Sequence, residues 1–239
     1  VSGFVRVPFG DSAAVEALAA HHKNIVAVLV EPYQGEGGVQ IPQADYLVEL
    51  RRICDAQGWL LMLDEVQTGV ARTGTWFAFQ HTNVLPDVMT LAKGLGSGVP
   101  IGACLARGVA AETFTPGKHG STFGGGPLAC TAALTTLAVM ESDGLLANAN
   151  RLGEYIRSDL AARLHGLAGV VEIRGQGLMI GIQLDRPCGD LVKMALAEKM
   201  LINVTNDTVV RLLPPLVLTQ ADAELLTEKL ARLIRTFLG

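Results

Sequence analysis

The chain has 239 residues, of which 49% are apolar and 18% charged. That is enough to bury the core of one large or two modest domains, and too apolar for a disordered segment. A formal net charge of −4 gives no global field for nucleic acid or an anionic membrane, and no fully apolar run is long enough to span a bilayer as a helix.

The chain opens on Val1, and "VSGFVRVPFGD" has neither the basic start nor the apolar stretch of a secretory signal. The expectation is a fragment with further sequence upstream. "NIVAVLVEP" (24–32) is a β-branched run stopped by a proline, which predicts a buried strand. "QADYLVELRRICDAQG" (43–58) places Leu47, Leu50 and Cys54 on one helical face and stops at Gly58. "WLLMLD" (59–64) is the next buried strand, so the order is strand, helix, strand, the unit of a parallel α/β sheet. "DVMTLAKG" (87–94) and "IGACLARG" (101–108) give a third and a fourth strand.

"GPLACTAALTTLAVMES" (126–142) is apolar nearly all round and predicts a buried helix. In 144–166 an apolar stripe runs through Leu145, Ala149, Leu152, Ile156, Leu160 and Leu164. Beyond it come short strands at 170–174, 178–184 and 209–213, with helices near 189–200 and 219–238. That change of grammar predicts a smaller α+β domain, with the boundary near Ser142–Gly144. Cys54, Cys104, Cys130 and Cys188 are far apart and form no C-x-x-C, so they read as reduced core thiols of a cytosolic protein. The five histidines show no metal spacing.

Several positions could carry chemistry. Asp64 ends a strand, where open α/β sheets bind ligands. An ionised carboxylate there needs a partner, such as a protonated heterocyclic nitrogen, or else it caps the following turn. Glu65 is its neighbour on an extended segment, so the two side chains diverge and do not form an acid/base dyad. Lys93 follows a strand directly and enters "KGLGSGVPIG". Desolvation beside the glycines would depress its pKa and allow a Schiff base; the alternative is a solvated loop lysine. "GLGSG" is no P-loop, because the lysine precedes the glycines, and Pro100 follows where a dinucleotide fingerprint needs a helix to open. Ser121 and Thr122, in "STFGGGP" just before a helix, are candidates for a phosphate. Glu36 lies in a Gly-rich loop, and Arg211 lies in an apolar strand and needs a carboxylate from the protein or a substrate.

Taken in order, "GFVRVPFGD", "VLVEPYQGEGG", "LDEVQTGVARTG", "LAKGLGSGVPIGA", "HGSTFGGGPLAC", "IRGQGLMIGIQL" and "VVRLLPPLVLT" resemble the class III pyridoxal-phosphate aminotransferases, in particular their acetylornithine and ornithine branch. The resemblance covers essentially the whole chain. It implies the α/β fold type I of pyridoxal-phosphate transferases, with residues 1–143 forming the C-terminal part of the large, mixed or parallel-sheet domain. Residues 144–239 would be the C-terminal α+β small domain.

The resemblance also implies roles. Lys93 matches the Schiff-base lysine and Asp64 the carboxylate that keeps the pyridine nitrogen protonated. Val66 matches the residue packed on the ring face, and Gln67 the one bonding the ring hydroxyl. Thr122, with Ser121 beside it, matches a residue reaching the cofactor phosphate of a neighbouring subunit, which implies a homodimer with shared sites. Glu36 and Arg211 match a pair in which Arg211 is neutralised with the amino donor bound and released to grip the α-carboxylate of glutamate or 2-oxoglutarate. The implied reaction moves an amino group between N2-acetylornithine or ornithine and 2-oxoglutarate in the cytoplasm, as in arginine biosynthesis. Succinyldiaminopimelate and 4-aminobutyrate are rival donors, and a non-catalytic dimerisation module is the alternative of another class.

Two departures go with the resemblance. The family's N-terminal region, with its main phosphate loop, a stacking aromatic and a carboxylate-binding arginine, is expected outside this chain. Gly126 stands where Asn is usual, and local loosening is expected from its freedom to enter the left-handed region.

Overall fold

The computed structural model describes residues 2–239 and divides into two compact units. One comprises the residues up to Pro32, Pro42–Gln67 and Ala78–Thr136; the other comprises Tyr33–Ile41, Thr68–Phe77 and Leu137–Gly239. Two short segments of the first half thus pack with the second unit, and the division falls inside a helix. Among the described residues, no helix is long and apolar enough to cross a membrane.

The first unit is built on a sheet of order β1-β2-β3-β4, with β1 Ala27–Val30, β2 Leu60–Asp64, β3 Val88–Leu91 and β4 Ala103–Ala106. The β1–β2 and β2–β3 pairs are parallel and β3–β4 is antiparallel, so the sheet is mixed. The helix α2, Tyr46–Gln57, crosses between β1 and β2 and ends at Gly58, whose φ of 69° is the left-handed cap expected there. Its Leu50, Ile53 and Cys54 pack with Leu61 and Leu63 of β2, Trp59 and Val84 into the core. Asp87 ties three parts of this unit together: its Oδ2 accepts from Arg51 Nη1 (2.7 Å) and from the Leu61 N–H (2.8 Å).

An unpredicted helix, α1, spans Ser12–His21. It is alanine-rich, with only Val15 buried, so no apolar stripe marks it. Its signal is the N-cap, where Asp11 accepts from the Ala14 N–H at 2.8 Å. The helix α3, Pro127–Ser142, differs from the expectation of burial. Ala133 and Met140 are buried, but Leu128 and Leu134 are 79% and 69% exposed. An all-round apolar helix is buried only if neighbours surround it, and the described residues cover little of this one.

In the second unit, α4 (Leu145–Arg163) and α6 (Gln220–Leu238) accompany an antiparallel sheet of order β5-β6-β8-β7. Its strands are β5 Val170–Gln176, β6 Met179–Leu184, β7 Asn203–Thr205 and β8 Val209–Leu212; α5 spans Asp190–Ala197. The predicted stripe of α4 is buried from Leu145 to Leu160, and Leu164 just beyond is buried too. It packs in the same unit as the fully buried Ile180, Ile182, Val209, Val210, Leu230 and Ile234. A capping box joining Thr219 and Asp222 starts α6. The strand β7 was not predicted, because three residues carry no periodicity to read. Arg72, from the Thr68–Phe77 segment, donates to Leu178 O (3.1 Å) and Pro214 O (2.6 Å), and burial pulls its pKa down to about 10. The cysteines also divide: Cys54 and Cys188 are buried, Cys130 is half-buried, and Cys104 is exposed on β4 rather than in the core.

Candidate active site

In the first unit, β2 and β3 run parallel with Asp64 opposite Thr90. Asp64 ends β2 and Lys93 lies three residues beyond Thr90, so both stand at the carboxyl ends of neighbouring strands. Asp64 is half-buried and its Oδ1 accepts from the Val66 N–H at 3.0 Å. An ionised carboxylate has about four acceptor sites, so that bond leaves capacity for a cation. Val66 and Gln67, next in the chain, are half-buried as well.

The deeply buried acid is its neighbour. Glu65 is 1% exposed and accepts from the backbone N–H groups of Ala78 and Phe79, both at 2.9 Å, at the start of a 3₁₀ turn over Ala78–His81. The two carboxylates take different partners, Asp64 the Val66 N–H and Glu65 those of Ala78 and Phe79. Glu65 thus fixes the chain after β2, while Asp64 remains half-buried at the strand's end.

Lys93 opens a short 3₁₀ turn, Lys93–Gly96, at φ 43°. A non-glycine residue in that region is strained, and such strain concentrates at functional positions. Its side chain is exposed, so the described residues do not supply the desolvation expected for it. Ser121 and Thr122 lie exposed in the turn before α3, where Ser121 Oγ accepts from the Gly124 N–H at 2.8 Å and keeps its own proton to donate.

The remaining predicted pair meets in the second unit. Arg211 on β8 faces Gly181 of β6 and Asn203 of β7 in register, so the three share one face of the sheet. The Tyr33–Ile41 segment lies against that face. Gln34 and Gln40 close it with reciprocal backbone bonds of 3.1 and 3.0 Å. Arg174 of β5 donates to Gly38 O (2.6 Å) and Val39 O (2.8 Å), and Thr205 Oγ1 donates to Glu36 O. Glu36 Oε1 then lies 2.8 Å from Arg211 Nη1. The side chain of Arg211 is 9% exposed and that of Glu36 72%. Arg211 Nε also donates to Asn203 Oδ1 at 3.0 Å. Sequence reasoning missed Asn203, Thr205, Arg174 and Gly181. Their only signal is the alternation that puts Asn203 and Thr205 on one face of a strand too short to recognise.

Residues 10–234 match the family model described as Aminotransferase class-III. Acetylornithine aminotransferase of Nitrosomonas europaea is 59% identical over 238 residues, which are 100% of this chain and 61% of that protein. Ornithine aminotransferase of Toxoplasma gondii, in a structure with partial occupancy of PLP at its active site, superposes with a TM-score of 0.93 at 37% identity. That match covers 98% of this chain and 56% of the other. Acetylornithine aminotransferase of Elizabethkingia anophelis superposes with a TM-score of 0.91, also at 37% identity, over 98% of this chain and 60% of its own. The chain therefore has the α/β fold of these enzymes and spans 61% of the length of the curated relative.

The residues present suit pyridoxal phosphate. A carboxylate and an amine stand at the carboxyl ends of adjacent parallel strands, one suited to a protonated ring nitrogen and the other to an aldehyde. A free hydroxyl donor precedes a helix N-terminus, the kind of place that accepts phosphate.

Proposed function

Because the chain belongs to the class III aminotransferase family, we propose that it serves transamination between N2-acetylornithine or ornithine and 2-oxoglutarate, with pyridoxal phosphate as cofactor. The observation that carries this reading is the placement of Asp64 and Lys93 at the ends of β2 and β3. The cofactor supplies an electron sink for the carbanion left when a proton departs from the substrate's amine-bearing carbon.

This chain's residues do the rest. Lys93 would hold the cofactor through Nζ and would take and return the substrate proton, a role worth roughly 10²–10⁴ in rate. Asp64 would keep the ring nitrogen charged, Val66 would pack on the ring and Gln67 would bond its hydroxyl. Glu36 neutralises Arg211 while the amino donor is bound and yields it to the α-carboxylate of the dicarboxylic partner. In sequence terms residues 1–143 carry the cofactor contacts and 144–239 the small domain.

The protein acts as a homodimer, with Ser121 and Thr122 reaching the phosphate in the partner's site. The exposure of Phe123 beside them, and of Leu128 and Leu134 on α3, supports this, since large apolar side chains left in water gain from a cover. The free thiols agree with a reducing, cytoplasmic setting.

Borohydride reduction of the full-length protein in the presence of pyridoxal phosphate, followed by peptide mapping, tests the reading. The pyridoxyl label is expected on Lys93. Label spread over surface lysines instead would refute the assignment. Comparing kcat/KM for acetylornithine, ornithine, succinyldiaminopimelate and 4-aminobutyrate then ranks the donors, with acetylornithine expected first.

A further inference from the structure

The geometry points to Asn203 as a positioning residue that holds Arg211 in place while Glu36 gives way to a substrate carboxylate. This rests on the reading of Glu36 and Arg211 proposed above. Glu36 and Asn203 hold the guanidinium in different ways. Glu36 is charged, carried on a loop and 72% exposed at its side chain, and it takes Nη1 at 2.8 Å. Asn203 is neutral, lies opposite Arg211 on the neighbouring strand, and takes Nε at 3.0 Å.

A neutral acceptor fixes a guanidinium without cancelling its charge. When Glu36 turns away, Asn203 therefore keeps its hold on Nε without offsetting the charge. An arginine has five N–H donors in a rigid fork. With Nε held by Asn203 the guanidinium plane is fixed, and the Nη1 position taken by Glu36 is the one a substrate carboxylate would enter. That tether removes part of the roughly 2 kcal/mol of rotamer entropy that substrate binding would otherwise have to overcome.

The loop's backbone is restrained independently. Thr205 Oγ1 donates to Glu36 O, and Arg174 donates to Gly38 O and Val39 O. The exchange is thereby confined to the Glu36 side chain. Glu36, Arg211, Asn203, Thr205 and Arg174 all belong to the second compact unit.

The test follows the two half-reactions separately in the holoenzyme and measures calorimetric binding of glutarate, a dicarboxylate with no oxo group to react. Asn203→Ala is expected to raise the half-saturating 2-oxoglutarate concentration and the glutarate Kd about tenfold, the scale of one lost hydrogen bond to a charged group. The maximal rate of the acceptor half-reaction should fall less. Asn203→Asp keeps the shape and the tether but adds a fixed counter-charge, so it should weaken acceptor and glutarate binding further. It also decides the matter if the alanine variant does not fold.

An unchanged acceptor affinity in both variants, or an equal loss in both half-reactions, would overturn the inference. Arg211→Gln separates the two levels. If it leaves acceptor affinity unchanged, the Glu36–Arg211 reading fails and this inference with it. If it weakens the acceptor while the Asn203 variants do not, the role of Asn203 alone is refuted.

Discussion

Val39 packs directly on Gly181: a Cβ added to the glycine would stand 2.9 Å from the Cβ of Val39. The neighbour is the stiff base of a β-branched side chain, itself fully buried at φ 50°, so it cannot swing aside. Gly181 also shares a register row with Arg211. Space on the sheet is thus what lets the loop lie down and bring Glu36 to the arginine. Gly181→Ala is expected to cost about 1–3 kcal/mol in urea unfolding, the scale of overpacking. It should also lift the loop, slowing the amino-donor half-reaction more than the acceptor one. A variant with unchanged stability would mean that the loop does not depend on this contact.

Lys93 shows the opposite balance, a residue kept where its backbone is unfavourable. At φ 43° a side chain costs about 1–2 kcal/mol relative to glycine. Lys93→Gly should therefore unfold at a higher denaturant concentration than Lys93→Ala, by about 1 kcal/mol. Both should lose turnover by at least roughly 10²-fold. Because the side chain is exposed, Lys93→Ala itself should change stability little. An active alanine variant would remove Lys93 from the chemistry.

Much of this was legible in the sequence, for identifiable reasons. An apolar run ending on Asp64 reads as a strand reaching a site, and β2 ends there. The 3.6-residue stripe of α4 is buried as drawn. Local signals fail where structure is set from far along the chain. The Tyr33–Ile41 and Thr68–Phe77 segments belong to the second unit, and nothing in their own composition says so. Apolar content marked α3 as a helix but not which of its faces would be covered. Glu36 and Arg211, 175 positions apart, were paired only through family resemblance. Asn203, in a strand of only three residues, stayed invisible until β7 placed it beside Arg211.

Asp87 makes a prediction about pH. Burial alone would push its carboxyl up. Hydrogen bonds from Arg51 and the Leu61 N–H, with the charges of Arg51 and Arg107, outweigh this and hold it below the usual carboxylate range. A depressed carboxylate stabilises the fold above its unfolded value of about 3.9 and loses that contribution as pH falls through the lower folded value. The loss attributable to Asp87 therefore lies below about pH 4. Asp87→Asn should cost about 2 kcal/mol at neutral pH, since it removes the partner of a half-buried arginine. It should also flatten the acid limb of stability against pH. A variant whose acid limb matches the parent would show that other carboxylates set it.

Gly126 has a different role from the one its composition implied. The left-handed residue in this turn is Gly125, at φ 74°, and Gly126 does not share that conformation. Its carbonyl accepts from the Cys130 N–H at 3.0 Å, and Pro127 opens α3 behind it. That makes Gly126 the N-cap, with proline at the first helical position where its missing N–H costs nothing. Glycine caps passably, but asparagine adds a side-chain oxygen for one of the free N–H groups of the first turn. There is room for it, because an added Cβ would meet nothing nearer than Phe123 O at 3.6 Å. Gly126→Asn should thus stabilise the protein by a few tenths of a kcal/mol, roughly the difference between the two caps. It should also slow amide exchange in the first turn of α3. Faster exchange there would mean that the turn through Ser121 and Thr122 depends on glycine at 126, and that the substitution disturbs their hydroxyls.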